Sequence, residues 1–191
     1  MRLFVAVLPP QEALDELGAA VRPLRAVPES DRLTWAAPTG WHFTLAFLGE
    51  VDEALLPGLE ERLARAARRH APYVLRLAGG GRFGDRVLWM GVDGDTAALR
   101  RLAGTVQAAA RRAGTAVAEE QRFHPHLTIA RNRSAVPLRP LADRLAPFQG
   151  REWTAASIAL VRSHPPAPGV PGAQPRYEAL RAWTLGHRPG Q

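Results

Sequence analysis

His42 and Thr44 stand two residues apart in Trp41-His42-Phe43-Thr44-Leu45-Ala46-Phe47-Leu48-Gly49, and His126 and Thr128 repeat the arrangement in His126-Leu127-Thr128-Ile129. Side chains two apart on a strand share a face. Each run therefore offers an imidazole beside a hydroxyl, with Phe43, Leu45 and Phe47 on the reverse of the first and Leu127 and Ile129 on the reverse of the second. One His-x-Thr is worth little as a motif; two, in a chain with six histidines, are a sharper signal. Imidazole titrates near neutrality, so one histidine can take a proton from water while the other gives one to a leaving oxygen. Threonine hydroxyls donate to non-bridging phosphate oxygens at no charge cost. Together the four groups suit in-line displacement at phosphorus without a metal.

Two other readings use the same residues. His124 and His126 could point one way as zinc ligands, with Glu119 and Glu120 as the only nearby carboxylates, although Pro125 between them disturbs alternation. Alternatively the site binds RNA ends or nucleotides without turnover. The retained histidine pair favours an enzyme, because binding alone needs no two groups that titrate near neutral pH. His70, His164 and His187 fall in helix-end or loop contexts and are expected to be solvated.

The elements that must position these groups follow from periodicity. Arg2–Leu8 is an apolar run ended by two prolines and predicts a buried strand. Leu14, Leu17, Val21 and Leu24 predict a helix over 11–24, and 28–40 a loop. The strand of His42 follows. Asp52 can cap a helix carrying Leu55, Leu56, Leu59, Leu63 and Ala67, with Arg68, Arg69 and His70 at its end. Tyr73–Leu77 alternates as a strand, and Gly79-Gly80-Gly81 is expected to break the chain. Then the order restarts: a strand over Arg86–Val92, a helix capped by Asp95 with Leu99, Leu102, Val106 and Ala110, the second motif strand over Phe123–Ala130, a helix over Leu138–Leu145 and a strand over Trp153–Val161. A proline-rich loop over 165–175 leads to a last strand over Tyr177–Leu185.

Each half thus reads strand, helix, motif strand, helix, strand. The expected fold is α+β and bilobal: two pseudo-symmetric lobes, each a mainly antiparallel sheet with outer helices, and a cleft between them where the motif strands meet. One domain over 1–191 is expected, with lobes near halves 1–80 and 81–191 and strands open to exchange between them.

Composition narrows the class. Apolar residues make up 46 % and charged residues 23 %, ordinary for a globular protein. The absence of cysteine removes disulfides, thiol nucleophiles and thiolate metal ligands. All 25 basic side chains are arginine, and the net charge of +7 favours an anionic partner such as RNA. No apolar run is long enough to cross a membrane, and the opening run is too short for a signal peptide before Pro9-Pro10. A cytoplasmic monomer is expected.

These residues resemble the two-histidine (2H) phosphoesterases, in particular the bacterial and archaeal RNA 2′,3′-cyclic phosphodiesterases first described as 2′-5′ RNA ligases. The resemblance runs through Arg2-Leu3-Phe4-Val5-Ala6-Val7, the His42 motif to Gly49, Gly81-Arg82-Phe83, Arg86-Val87-Leu88-Trp89, Phe123-His124-Pro125-His126-Leu127-Thr128-Ile129-Ala130-Arg131, Arg162-Ser163 and Tyr177-Glu178-Ala179-Leu180. It implies a bilobal fold, no metal and no cofactor, and a substrate with a 2′,3′-cyclic phosphate, either an RNA end or a cyclic nucleotide. It also implies His42 as proton donor and His126 as proton acceptor, with the 3′ oxygen leaving and a 2′-phosphomonoester formed. Arg131 belongs to the resemblance as a phosphate ligand beside Thr44 and Thr128. Strict alternation from His126 puts it on the opposite face; a bulge or the strand end would turn it toward the phosphate, and a surface arginine is the alternative. Phe83, Trp89 and Tyr177 could stack on a base or belong to the core.

Overall fold

The computed structural model describes residues 1–117, 123–170 and 172–186. Nine strands and four α-helices are found among them: β1 (Arg2–Val7), α1 (Gln11–Arg25), β2 (Thr34–Trp35), β3 (Phe43–Glu50), α2 (Leu56–Arg68), β4 (Tyr73–Phe83), β5 (Val87–Gly94), α3 (Thr96–Arg112), β6 (Leu127–Arg131), α4 (Arg139–Leu145), β7 (Trp153–Ala155), β8 (Ser157–His164) and β9 (Arg176–Thr184). They form two sheets, ordered β3-β1-β8-β9 and β2-β6-β5-β4-β7, with antiparallel pairing throughout.

The helices form because their apolar residues recur on one face. α1 buries Ala13, Leu17, Val21 and Leu24; α2 buries Leu59, Leu63, Ala66 and Ala67; α3 buries Leu99, Leu102, Ala103, Val106 and Ala110. Asp95 caps α3 by accepting from the Ala98 N–H at 2.9 Å, and Asp52 accepts from Ala54 at 2.9 Å in the 3₁₀ turn that leads into α2. α2 and α3 lie on the sheet of β3, and α1 and α4 on the sheet of β4. Each fully buried leucine in these layers contributes about 1.5–3 kcal/mol.

The pseudo-symmetry runs through the topology. The chain order β1, α1, β3, α2, β4 is matched by β5, α3, β6, α4, β8. In each series the first helix and the last strand belong with the other sheet, so β4 joins β5 and β6 while β8 joins β1 and β3. The sheets therefore do not coincide with the halves of the sequence: each half is completed by the other.

Three sequence expectations are corrected. Gly79-Gly80-Gly81 does not break the chain; β4 runs through it. The glycines serve close approach instead. A Cβ on Gly80 would lie 2.1 Å from Leu145 Cβ, and one on Gly81 would lie 2.3 Å from the Trp89 ring. Trp153–Val161 is two strands in different sheets, β7 beside β4 and β8 beside β1. The loop expected over 28–40 contains β2, which pairs Thr34 with Arg131 and Trp35 with Ala130. In addition, β6 starts only at Leu127, because Pro125 has no N–H for a ladder.

One continuous apolar cluster joins the inner faces and helices of both sheets. A second, small cluster of Phe4, Ala6, Ala159 and Val161, with Tyr177 against it, lies on the reverse of the β1–β8 pair. It floors the region where the two motif strands meet. No helix among the described residues is long and apolar enough to cross a membrane.

Candidate active site

His42 immediately precedes β3. Its ring stacks on Phe4, with centroids 4.6 Å apart and planes 26° apart, and meets Tyr177 edge-on at 5.3 Å and 80°. Its Nδ1 pairs with the Gly40 carbonyl at 2.6 Å. A carbonyl can only accept, so Nδ1 carries the proton and the chemistry is left to Nε2. His126 repeats the device: its Nδ1 pairs with the His124 carbonyl at 2.8 Å. Its ring lies edge-on to Phe83 at 4.8 Å. In both motifs the carbonyl two residues upstream selects the tautomer, a consequence of the tight approach to each strand.

The hydroxyls follow from register. Thr44 pairs with Ala6, which belongs to the small cluster on the reverse face. Thr128 pairs with Trp89, whose indole lies against His124 at 4.9 Å. Thr44 and Thr128 are half-buried, with Phe43, Leu45, Leu127 and Ile129 buried behind them. Alternation holds this far and then fails in both strands. Val5 pairs with Ala46 and Ala6 with Thr44, so Leu45 is an extra residue; Leu88 pairs with Ala130 and Trp89 with Thr128, so Ile129 is extra. Each is a β-bulge, and both residues of each bulge are buried. The carbonyls of the extra residues are satisfied from outside the ladder, Leu45 by Gln107 Nε2 of α3 at 2.9 Å and Ile129 by the Ala36 N–H at 2.8 Å.

The bulges decide two residues. Arg131 is turned to the face of His126 and Thr128, where it pairs with Val87, two residues before Trp89. Phe47 is likewise turned away from the core. It is 45 % exposed, pairs with Phe4 and lies 6.4 Å from its ring, so its expected place behind the strand is corrected.

The two faces confront each other closely enough to interact electrically. Burial first, and then the positive charges of His126 and Arg131, push the His42 imidazole down to about 4, against the opposing effect of the Gly40 carbonyl. Arg131 and Arg2 also act on the Tyr177 phenol, which burial pushes up. His42, Thr44, His126, Thr128 and Arg131 thus lie on facing surfaces of the two sheets.

Two other histidines lie elsewhere, while His124 stays beside His126, against Phe83 and Trp89. His70 meets Thr105 Oγ1 at 2.8 Å between α2 and α3. His164 ends strand β8 rather than lying in a loop, and meets Glu178 at 2.8 Å. Among the described residues no three His, Cys, Asp or Glu side chains converge as a metal site; Glu119, Glu120 and His187 lie outside the described residues. Sequence reasoning missed Asn132, which is buried directly after Arg131. Its Nδ2 donates to the carbonyls of Asp85 and Val136, each at 2.7 Å, and locks the end of β6. Its only sequence signal was its place beside Arg131.

The family description "2′-5′ RNA ligase superfamily" matches residues 10–166. An RNA 2′,3′-cyclic phosphodiesterase of Thermus thermophilus is 33 % identical over 97 % of this chain and 90 % of its own length. Another, of Geobacillus stearothermophilus, is 34 % identical over 80 % of this chain; the chain spans about half of that relative's length. Among solved structures, Escherichia coli LigT complexed with 3′-AMP superposes with a TM-score of 0.75 at 27 % identity, covering 97 % of this chain and 98 % of that one.

Proposed function

Because the chain belongs to the 2′-5′ RNA ligase superfamily, we propose that it hydrolyses 2′,3′-cyclic phosphodiesters, at RNA ends or in cyclic nucleotides, to 2′-phosphomonoesters without metal or cofactor. The observation that carries this is the pair of tautomer-fixed imidazoles on facing sheets, each beside a threonine. Residues 1–191 act as one two-lobed catalytic domain, a monomer in the cytoplasm.

In this reading His126 Nε2 takes a proton from water as the water oxygen attacks phosphorus. The bond to the ribose oxygen opposite breaks, and His42 Nε2 gives that oxygen its proton. Thr44 and Thr128 hydroxyls donate to the non-bridging oxygens, and Arg131 neutralises their charge. Burial keeps His42 neutral at pH 7 before substrate binds. The phosphodiester anion supplies the negative charge that offsets Arg131 and, with His126 neutral as the base, lets His42 acquire the proton it will donate as the substrate arrives. With a 5′-hydroxyl in place of water, the same steps join it to the cyclic end in a 2′-5′ linkage: His126 takes the hydroxyl proton and His42 protonates the departing 3′ oxygen.

Incubating the purified protein with a 2′,3′-cyclic nucleotide in EDTA tests the proposal. Turnover unaffected by EDTA is expected. Binding without turnover would make the cleft a nucleotide-binding site, and turnover abolished by EDTA would restore the zinc reading.

A further inference from the structure

We propose that Tyr177 is a positioning residue for His42: its ring, wedged against Gly40 and edge-on to the imidazole, fixes the direction in which His42 presents Nε2 to the phosphodiester. The proposal rests on the reading of His42 as proton donor.

Three rings touch one another. Phe4 stacks on His42, Tyr177 meets His42 at 5.3 Å and 80°, and Tyr177 meets Phe4 at 5.4 Å and 87°. Strand order separates β9 from β3 by two strands, about 14 Å at the usual spacing. The contact exists because the 3₁₀ turn Pro38–Gly40 folds the chain before β3 back over the sheet. Gly40 permits it: a Cβ there would lie 3.1 and 3.2 Å from Tyr177 Cε2 and Cδ2. Tyr177 therefore touches both ends of one hydrogen bond, the carbonyl-bearing Gly40 and the imidazole that donates to it. Removing the ring releases the turn and opens one side of His42 to water. The contacts are made by ring carbons, so the hydroxyl is dispensable.

The wedge also bears on proton affinity. Among the described residues, the charged and titratable groups facing His42 are His126, just before β6, Arg131 of β6 and the Tyr177 phenol of β9, with Arg2 of β1 acting on that phenol. Burial is the largest influence on His42, and Tyr177 supplies one wall of it. With the wall removed, His42 binds its proton more readily.

The test compares Tyr177→Phe, Tyr177→Ala and Gly40→Ala with the wild type on a 2′,3′-cyclic nucleotide, alongside NMR titration of the histidine rings. Tyr177→Phe is expected to keep kcat and the pH profile within about twofold. Tyr177→Ala is expected to lower kcat about 10- to 100-fold, the usual effect of a small misplacement, with KM within about twofold and the His42 titration moved up toward the ordinary 6.5. Gly40→Ala presses on the ring while keeping the Gly40 carbonyl, the imidazole and Tyr177 itself, and is expected to lower kcat by a smaller factor in the same direction. Wild-type kcat and an unmoved His42 titration in both alanine variants would overturn the proposal. So would a loss in Tyr177→Phe equal to that in Tyr177→Ala, since that would assign the work to the hydroxyl. The titration needs no turnover, so an inactive wild type would sink the proposed activity while leaving the wedge to be judged on its own.

Discussion

Phe47 and Arg131 occupy the same place on the two motif strands: each is the first residue past a bulge that follows His-x-Thr, turned onto the face of its histidine. The two lobes therefore offer equivalent positions with unlike chemistry, an exposed aromatic ring on one and a guanidinium on the other. At this pair of positions the positive charge comes from one lobe only.

Arg131→Ala should lower kcat/KM on a cyclic nucleotide about 10- to 100-fold, the worth of a hydrogen bond to a charged group. Arg131→Lys should recover part of it, because a point charge replaces a planar fork. Phe47→Leu should leave the pH profile unchanged. Steady-state kinetics of the three variants decide the matter; a fully active Arg131→Ala would return Arg131 to the role of a surface residue.

Anion binding should strengthen as pH falls, with a range that identifies His42. Its imidazole is held at about 4 before binding, and a bound anion raises it. The complex then holds more protons than the free protein between those two values, so affinity rises as pH drops toward 4 and levels off below. An ordinary imidazole, near 6.5, is already fully charged by pH 5. Calorimetric titration with sulfate, whose charge is constant over this range, should show the rise continuing between pH 5 and 4 in the wild type and missing in His42→Ala. A flat response below pH 5 in the wild type would contradict it.

The bulge that turns Phe47 outward depends on Gln107. Gln107→Leu removes the donor to the Leu45 carbonyl and should cost about 1–3 kcal/mol for the polar group left unsatisfied. Denaturant unfolding measures it. An unchanged midpoint would show that the bulge needs no outside donor.

How much of this was legible beforehand depended on whether period-2 alternation survived. Alternation holds from each histidine to its threonine, which is why His42 with Thr44 and His126 with Thr128 could be read as sharing a face. Phe47 was assigned to the core because an extra residue at Leu45 is invisible in a pattern of apolar residues, and the same uncertainty left Arg131 open. Gly79-Gly80-Gly81 looked like a break because glycine's conformational freedom is a local property, whereas its use here is to admit Leu145 and Trp89 from distant segments. Trp153–Val161 read as one strand since nothing local marks a change of sheet at Ala156. The helices, with core faces set by their own periodicity, were found within two residues, except that the 3₁₀ turn Glu53–Leu55 takes the place of the expected first turn of α2. Tyr177 was noticed only as an aromatic ring, because its contact with Gly40 and His42 joins residues far apart in the chain.

Regiochemistry follows from placement. With His42 beside the departing oxygen and His126 beside water, the resemblance to the 2′,3′-cyclic phosphodiesterases implies loss of the 3′ oxygen. Digestion of an RNA with a 2′,3′-cyclic end should yield the 2′-phosphate, resolved chromatographically from the 3′ isomer. A predominant 3′-phosphate would mean that the two histidines, or the two ends of the substrate, exchange places.

The proposed reaction needs two histidines acting as acid and base across one phosphate. The most direct measurement is single-turnover hydrolysis of a 2′,3′-cyclic end in EDTA by the wild type, His42→Ala, His126→Ala and the double variant. Each single change should lower the rate about 10²–10⁴-fold, and the double variant should fall short of the product of the two losses, since acid and base work as a unit. Wild-type rate in either single variant would contradict it.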